Sequence, residues 1–96
     1  MKTYRLTPAA QQDLSTIWDY TQEQWDARQA ERYVDELRFG IERVAADPAR
    51  GRRCDHIRPG YRRYSIGSHL VFYVETDTTV DVVRILHRRM DPERHL

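Results

Sequence analysis

The feature that most constrains the fold is a run of three strand-like segments in the second half of the chain. Residues 57–66, 69–75 and 79–87 are rich in β-branched and aromatic side chains, which favour extended backbone. Gly67-Ser68 and Asp77-Thr78 are short turn signals between them. The middle segment is apolar on both alternations, as expected of a central strand. We therefore predict a three-stranded antiparallel meander.

The first half of the chain predicts a short strand followed by two helices. Residues 2–6 alternate weakly, and Thr7-Pro8 then supplies a helix cap and a proline at the first helical position. Asp26, with Gln29 three positions later, marks the start of a second helix that ends near Asp47-Pro48. The short gap between the helices makes an antiparallel hairpin. The predicted fold is α+β with the order β-α-α-β-β-β, a helical hairpin packed on a small, mostly antiparallel four-stranded sheet.

Apolar side chains recur at three- and four-residue spacing in the first helix and predict its buried stripe. The stripe includes Trp18 and Trp25. An indole can serve as a stacking platform for a nucleobase, but a tryptophan on such a stripe is more often part of the core. We therefore interpret both tryptophans as core residues.

Length and composition limit the classes of protein to which the chain can belong. Its 96 residues suffice for one domain, spanning 1–96, with a single modest core. No apolar run approaches the roughly 20 residues that a membrane-spanning helix needs, and no signal segment opens the chain. The lone Cys54 allows no internal disulfide, which fits a cytoplasmic location. The four histidines are scattered without a ligand spacing, so we expect no metal site. We expect no cofactor either.

The two halves of the chain carry opposite net charge. The first 48 residues hold six Lys/Arg and nine Asp/Glu, a net charge of −3, whereas the other 48 hold ten Arg and six Asp/Glu, a net charge of +4. This separation indicates either an acidic partner for the basic half or merely solvated surfaces. With the helices on one face of the sheet, we expect Tyr61, Arg63 and Tyr73 on the other. Arg84 lies in an apolar strand, where it is costly unless it pairs with an Asp or Glu across strands or lies at a functional face.

A set of short motifs spreads over nearly the whole chain. In the helices and the loop after them, these are Asp13-Leu14, Ile17-Trp18-Asp19-Tyr20, Gln29-Ala30, Tyr33, Pro48 and Gly51-Arg52. In the meander and the tail they are Arg58-Pro59-Gly60-Tyr61-Arg62, Gly67-Ser68-His69, Val71-Phe72-Tyr73, Arg84-Ile85-Leu86-His87, Met90-Asp91 and His95-Leu96. No single motif would suffice. Together, and in this order of elements, they resemble the RelE/ParE superfamily of bacterial toxins, and in particular its ParE-type members.

The resemblance implies the toxin of a type II toxin–antitoxin module, with one of two activities. ParE-like members poison DNA gyrase, whereas RelE-like members cut messenger RNA in the ribosomal A site. Both are neutralised by a cognate antitoxin, which for ParE-like toxins is commonly a ribbon-helix-helix, ParD-like protein. We expect a hetero-oligomer with that antitoxin, contact with operator DNA only through it, and no membrane partner. A non-toxic corepressor that only binds its antitoxin is a third possibility.

Two sets of candidate site residues follow from the resemblance. Metal-free RNA cleavage needs an acid, a base and cations, and the residues conceivable for it are Arg63, His69, Arg89 and His95. The residues expected to bind the target or the antitoxin are Arg58, Tyr61, Arg62, Arg63, Tyr73, Arg84, His87 and Arg88. The single lysine, Lys2, lies in the wrong element for a RelE-like nuclease, and the tail is ParE-like. We therefore favour a gyrase inhibitor that acts by binding, with no catalytic residues.

Overall fold

The computed structural model of the protein describes residues 2–96 and contains one five-stranded sheet. The elements are β1 (Thr3–Leu6), α1 (Pro8–Gln24), α2 (Ala27–Ala46), a 3₁₀ turn (Pro48–Arg50), β2 (Arg52–Arg53), β3 (Tyr61–Ile66), β4 (His69–Glu75), β5 (Thr79–His87) and α3 (Pro92–His95). The strand order is β1-β5-β4-β3-β2, and all neighbouring pairs are antiparallel except β1 with β5. The predicted α+β class and the central position of β4 are confirmed, whereas the sheet has five strands instead of four.

The extra strand and a shortened neighbour are the main departures from the predicted elements. β2 is only two residues long and pairs with Arg62 and Arg63 of β3, in a stretch predicted as a loop. β3 begins at Tyr61 and not at residue 57. Pro59 has no N–H for a ladder, and Gly60 has a φ of 82°, so the residues before Tyr61 form turns instead of strand.

Both long helices begin where the sequence predicts them. The Thr7 side chain accepts a hydrogen bond from the Ala10 N–H, and the Asp26 side chain accepts one from the Gln29 N–H. The core interpretation is wrong for Trp25, whose side chain is 75% exposed at the carboxyl end of α1. Trp18 is only half-buried. The buried stripe of α1 therefore consists of the smaller side chains Ala10, Leu14 and Ile17.

The two faces of the sheet carry separate cores. On the helix face, which the two long helices cover, the cluster of buried residues consists of Ala10, Leu14, Ile17, Leu37, Ile41, Val44, Ile66, Val71, Tyr73, Val80, Val82 and Ile85. The opposite side, the open face, has a smaller cluster of Cys54, Phe72 and Leu86, against which Ile57, Tyr61, Leu70 and Leu96 pack. The loop before β3 and the end of the chain thus cover part of the open face.

Tyr73 lies on the helix face, so its predicted place on the open face is wrong. Its side chain is fully buried, and its hydroxyl donates to the Pro48 carbonyl oxygen at 2.8 Å and accepts from the Gly51 N–H at 3.0 Å. The two bonds satisfy the buried hydroxyl and fasten the loop after α2. Tyr73 is therefore a core residue that cannot contact a partner.

β5 contains a bulge, and β1 pairs with only the first part of this strand. Phe72 and Tyr73 pair with Arg84 and Val82, so Val83 has no partner in β4. β1 pairs only with residues 79–82. Beyond residue 82, the residue before α1 replaces the strand partner: Thr7 Oγ1 donates to the Val83 carbonyl oxygen at 2.7 Å.

Candidate functional site

A cleft opens between the helical hairpin and the ends of β4 and β5. We call it the hairpin cleft. Its volume is about 550 Å³, and it is lined by Asp13, Thr16, Ile17, Tyr20, Thr21, Tyr33, Ser68, His69, Ile85, His87 and Met90. Tyr20 is 65% exposed and Met90 is 37% exposed. Two large apolar side chains thus stand at the rim of a concave, largely apolar surface, an arrangement typical of ligand and partner sites.

A hydrogen-bonded histidine forms one wall of the hairpin cleft. The Tyr33 hydroxyl forms a hydrogen bond of 2.6 Å with Nδ1 of His69 and accepts the Ser68 N–H at 3.0 Å. The His69 ring stacks edge-on against His87, with centroids 5.3 Å apart. Burial, followed by the proximity of His87, lowers the pKa of His69 to about 4. His69 is therefore neutral near pH 7, and its bond to Tyr33 fixes the ring.

Arg84 is held by a carboxylate at the end of the same cleft. Its Nε and Nη2 atoms each donate to an oxygen of Asp13 at 2.8 Å, and Asp13 also accepts the Ile85 N–H at 2.9 Å. Both side chains are mostly covered, with 22% of Arg84 and 13% of Asp13 exposed. The Asp13 carboxylate raises the pKa of Arg84 further. The acidic partner predicted for Arg84 comes from α1 and not from a neighbouring strand, and this pair ties α1 to β5.

A second concave surface lies at the other side of the sheet. We call it the arginine groove. It has a volume of about 440 Å³ and is lined by Arg50, Arg52, Arg63, Tyr64, Ser65, Leu70 and Arg88. No acidic side chain lines it. Arg52 and Arg63 are direct partners in the β2–β3 ladder, and so their side chains emerge on the same face of the sheet.

Several predicted binding residues have partners within the described chain. Arg58 donates to the Leu96 carbonyl oxygen at 2.8 Å, and Arg62 donates to the Gly51 carbonyl oxygen at 2.8 Å. Arg88 donates to Ser65 Oγ at 3.2 Å and to the Gly67 carbonyl oxygen at 2.9 Å. Tyr61 packs in the open-face cluster, and His87 lies in the hairpin cleft. The predicted set therefore does not form one surface.

The structure does not bring the four conceivable nuclease residues together. Arg63 pairs with the open-face residue Phe72 and points to the open face. His69 pairs with the helix-face residue Ile66 and bonds to Tyr33 on the helix face. Arg89 is exposed just after β5, and His95 is exposed in α3. The side chains of Arg63 and His69 thus leave the sheet in opposite directions.

Sequence reasoning missed Tyr20, Tyr33 and Met90 as site residues. Tyr33 is half-buried in α2, and its contact with His69 spans 36 positions, so no local pattern indicates it. Within residues 2–96, no three His, Cys, Asp or Glu side chains are grouped so that they could hold a metal ion. In the same range, every helix is too short or too polar to cross a membrane.

Comparison with known proteins gives a consistent assignment. The family model described as ParE toxin of type II toxin–antitoxin system, parDE, matches residues 4–92. The chain is 55% identical over 94 residues to Toxin ParE1 of Mycobacterium tuberculosis (strain ATCC 25618 / H37Rv), which covers 97% of this chain and 96% of that protein. It is 42% identical over 96 residues to Toxin ParE1 of Caulobacter vibrioides, covering 100% and 99% of the two chains.

The fold is also similar to that of a solved structure. A chain in the structure described as the chromosomal ParDE TA system from P. aeruginosa superposes with a TM-score of 0.79, at 19% identity, over 91% of this chain and 96% of that one. At this identity the likeness concerns the fold alone. The resemblance to ParE-type toxins is confirmed by the family match and by the curated relatives. The chain belongs to the ParE toxin family of type II toxin–antitoxin systems.

Proposed function

We propose that this protein is a cytoplasmic toxin that binds DNA gyrase, blocks its reaction cycle without cutting RNA, and is neutralised by a ParD-like, ribbon-helix-helix antitoxin. The observation that carries the choice between gyrase and messenger RNA is the placement of Arg63 and His69 on opposite faces of the sheet. The family assignment supplies the toxin–antitoxin context. Binding of operator DNA belongs to the antitoxin in this proposal.

The chemistry of RNA cleavage explains why that placement matters. A metal-free ribonuclease needs a base for the 2′-hydroxyl and an acid for the leaving oxygen, each within hydrogen-bond reach of one phosphate and each worth about 10²–10⁴-fold. Cations must stabilise the same phosphate. A phosphate beside Arg63 is separated from His69 by the sheet itself. His69 is moreover neutral and hydrogen-bonded to Tyr33, which supports a structural role for it.

The hairpin cleft supports binding of a protein segment. Apolar contacts are offered by Tyr20 and Met90 at its rim and by Ile85 in its wall. Protein interfaces draw most of their affinity from a few apolar or aromatic side chains buried in such pockets. We propose that an apolar side chain of the antitoxin fills this cleft, with His87 beside it. Of the other predicted binding residues, we retain Arg63 and Arg88 as contacts to partners, because both line an accessible groove.

Two assays with the same purified protein test the proposed target. We expect the toxin to inhibit supercoiling by gyrase and to trap cleaved DNA, and we expect no ribosome-dependent cuts in messenger RNA. Antitoxin added beforehand should abolish the gyrase effect. His95→Ala and Arg89→Ala variants serve as controls, since neither residue belongs to the proposed mechanism. Cleavage of ribosome-bound message that these substitutions abolish would favour the nuclease instead, and unimpaired growth on expression of the toxin alone would favour the corepressor.

A further inference from the structure

We propose that the arginine groove binds the phosphodiester backbone of DNA, so that the toxin contacts the DNA held by its target as well as the target protein. This inference rests on the proposed action against gyrase, an enzyme that works on duplex DNA. Three observations support it: the groove holds four guanidinium groups, no acidic side chain lines it, and two of its arginines are direct partners in the β2–β3 ladder.

The register of β2 and β3 places two arginines side by side, in positions where they do not stabilise the fold. Arg52 and Arg63 are opposed in neighbouring antiparallel strands, whose backbones lie about 4.8 Å apart. Like charges directly opposite one another destabilise a sheet. Within residues 2–96, neither side chain has a hydrogen bond or an ion pair, although 15 acidic residues are present in the sequence. A site of concentrated positive charge that the fold does not neutralise is suited to an anionic ligand.

Neighbouring arginines show that this lack of partners is local. Arg53 and Arg62 form the other pair of the same two strands, yet Arg53 bonds to Asp55 at 2.8 Å and Arg62 bonds to the Gly51 carbonyl oxygen. Arg84 on β5 is held by Asp13. The strand arginines outside the groove are therefore satisfied internally, and the two opposed arginines inside it are not.

Arg88 contributes a fixed charge at the end of the groove. Its backbone N–H donates to the Ser68 carbonyl oxygen at 3.0 Å, and its guanidinium donates to Ser65 Oγ and to the Gly67 carbonyl oxygen. These bonds use Nη2, so the rest of the planar guanidinium remains a donor surface. A pre-positioned arginine loses less side-chain entropy on binding than a free one.

The lining of the groove favours phosphate over an acidic peptide. Peptide recognition relies on pockets for apolar anchors. Among the residues that line the groove, only Tyr64 and Leu70 are aromatic or apolar, and Tyr64 packs against the helix-face core. Contacts to a nucleic-acid backbone need no such socket, because charge neutralisation supplies most of the affinity. Two adjacent guanidinium groups also match the several oxygens of one phosphate. The apolar hairpin cleft, on the helix face, is the better peptide site.

Fluorescence anisotropy with a short labelled DNA duplex tests the proposal, with the purified toxin titrated between about 50 and 200 mM salt. The Arg52→Gln/Arg63→Gln double variant should bind the duplex about tenfold more weakly at low salt, and its salt slope should be smaller by about two, roughly one for each lost phosphate contact. Arg28→Gln/Arg32→Gln, which removes two exposed charges from α2, should match the wild type. Circular dichroism should show that the groove variant is folded.

The outcomes separate the inference from the proposed function. Equal DNA affinity of wild type and groove variant, or no DNA binding by the wild type, overturns the inference. An RNA duplex that binds much more tightly than DNA also overturns it, as does a groove variant that loses only affinity for an acidic antitoxin peptide. Failure of gyrase inhibition by a wild-type protein that binds DNA through these arginines would contradict the proposed function and leave the groove a DNA site.

Discussion

Removal of the Asp13 carboxylate should destabilise the protein far more than removal of any exposed acid. Asp13 holds Arg84 through two bonds of 2.8 Å and also accepts the Ile85 N–H at 2.9 Å. Asp13→Ala leaves a mostly covered guanidinium without its carboxylate and a strand N–H without an acceptor. Breaking a fully buried pair costs about 3–5 kcal/mol, and an unsatisfied buried N–H costs about 1–3 kcal/mol.

The partial exposure of the pair reduces the expected loss. Because 22% of the Arg84 side chain is exposed, water replaces some of the lost interaction. We therefore expect the free energy of unfolding to fall by about 2–4 kcal/mol. For a chain of this length, the corresponding loss in Tm is about 10–25 °C. Asp13→Asn keeps an acceptor for the Ile85 N–H and should fall between the alanine variant and the wild type.

Chemical denaturation of a small set of variants tests this reasoning. Asp19→Ala is the matched control, since Asp19 is exposed on the same helix and should change the free energy of unfolding by less than about 0.5 kcal/mol. A double-mutant cycle with Arg84→Met isolates the coupling between the two side chains, which we expect to be about 1–3 kcal/mol. If Asp13→Ala is as stable as Asp19→Ala, the ion pair does not stabilise the fold, and Arg84 becomes a candidate for partner binding again.

Two further predictions concern the stability contributed by the half-buried His69 imidazole and by the buried Tyr73 hydroxyl. Because the pKa of His69 lies at about 4 in the folded chain, below its ordinary value of 6.5, the unfolded chain takes up that proton first as the pH falls. The stabilisation is complete above pH 6.5 and is lost towards pH 4, and for this half-buried ring we expect a loss of about 1–2 kcal/mol. In urea denaturation at pH 7 and pH 5, His69→Asn should show a smaller decrease than the wild type; equal decreases would contradict this assignment. Tyr73→Phe removes an acceptor from the Gly51 N–H and a donor to the Pro48 carbonyl oxygen, and should cost about 1–3 kcal/mol in thermal denaturation, whereas an unchanged Tm would show that water replaces both bonds.

Local signals in the sequence predict most of the secondary structure. Thr7 and Asp26 are caps whose hydrogen bonds involve residues three positions away, and so they can be recognised from short stretches of sequence. The meander follows from strand propensity and the two turns. β2 could not be predicted in this way, because a two-residue strand has no periodicity and exists only through its pairing with β3.

The face to which a side chain points was harder to predict, and the errors in the candidate site follow from this. The segment around Tyr73 is apolar on both alternations, so its phase cannot be read from hydrophobicity. Only the packing of the helices against Val71 and Tyr73 decides which positions face them. The same uncertainty of phase hid the opposed directions of Arg63 and His69. The resemblance to the toxin family identified both residues but carried no information about which face each occupies.

The two concave surfaces lie at the same end of the sheet but on opposite faces. Ser68 and His69 line the hairpin cleft, while Ser65 and Leu70, on the two strands that meet at the same turn, line the arginine groove. A segment that fills only the hairpin cleft therefore leaves the charges of the groove accessible. If the antitoxin acts from the cleft alone, neutralisation has to work by excluding the target protein and not by covering the proposed DNA contacts. If it also covers the groove, its chain has to pass around the Gly67-Ser68 turn or an edge of the sheet.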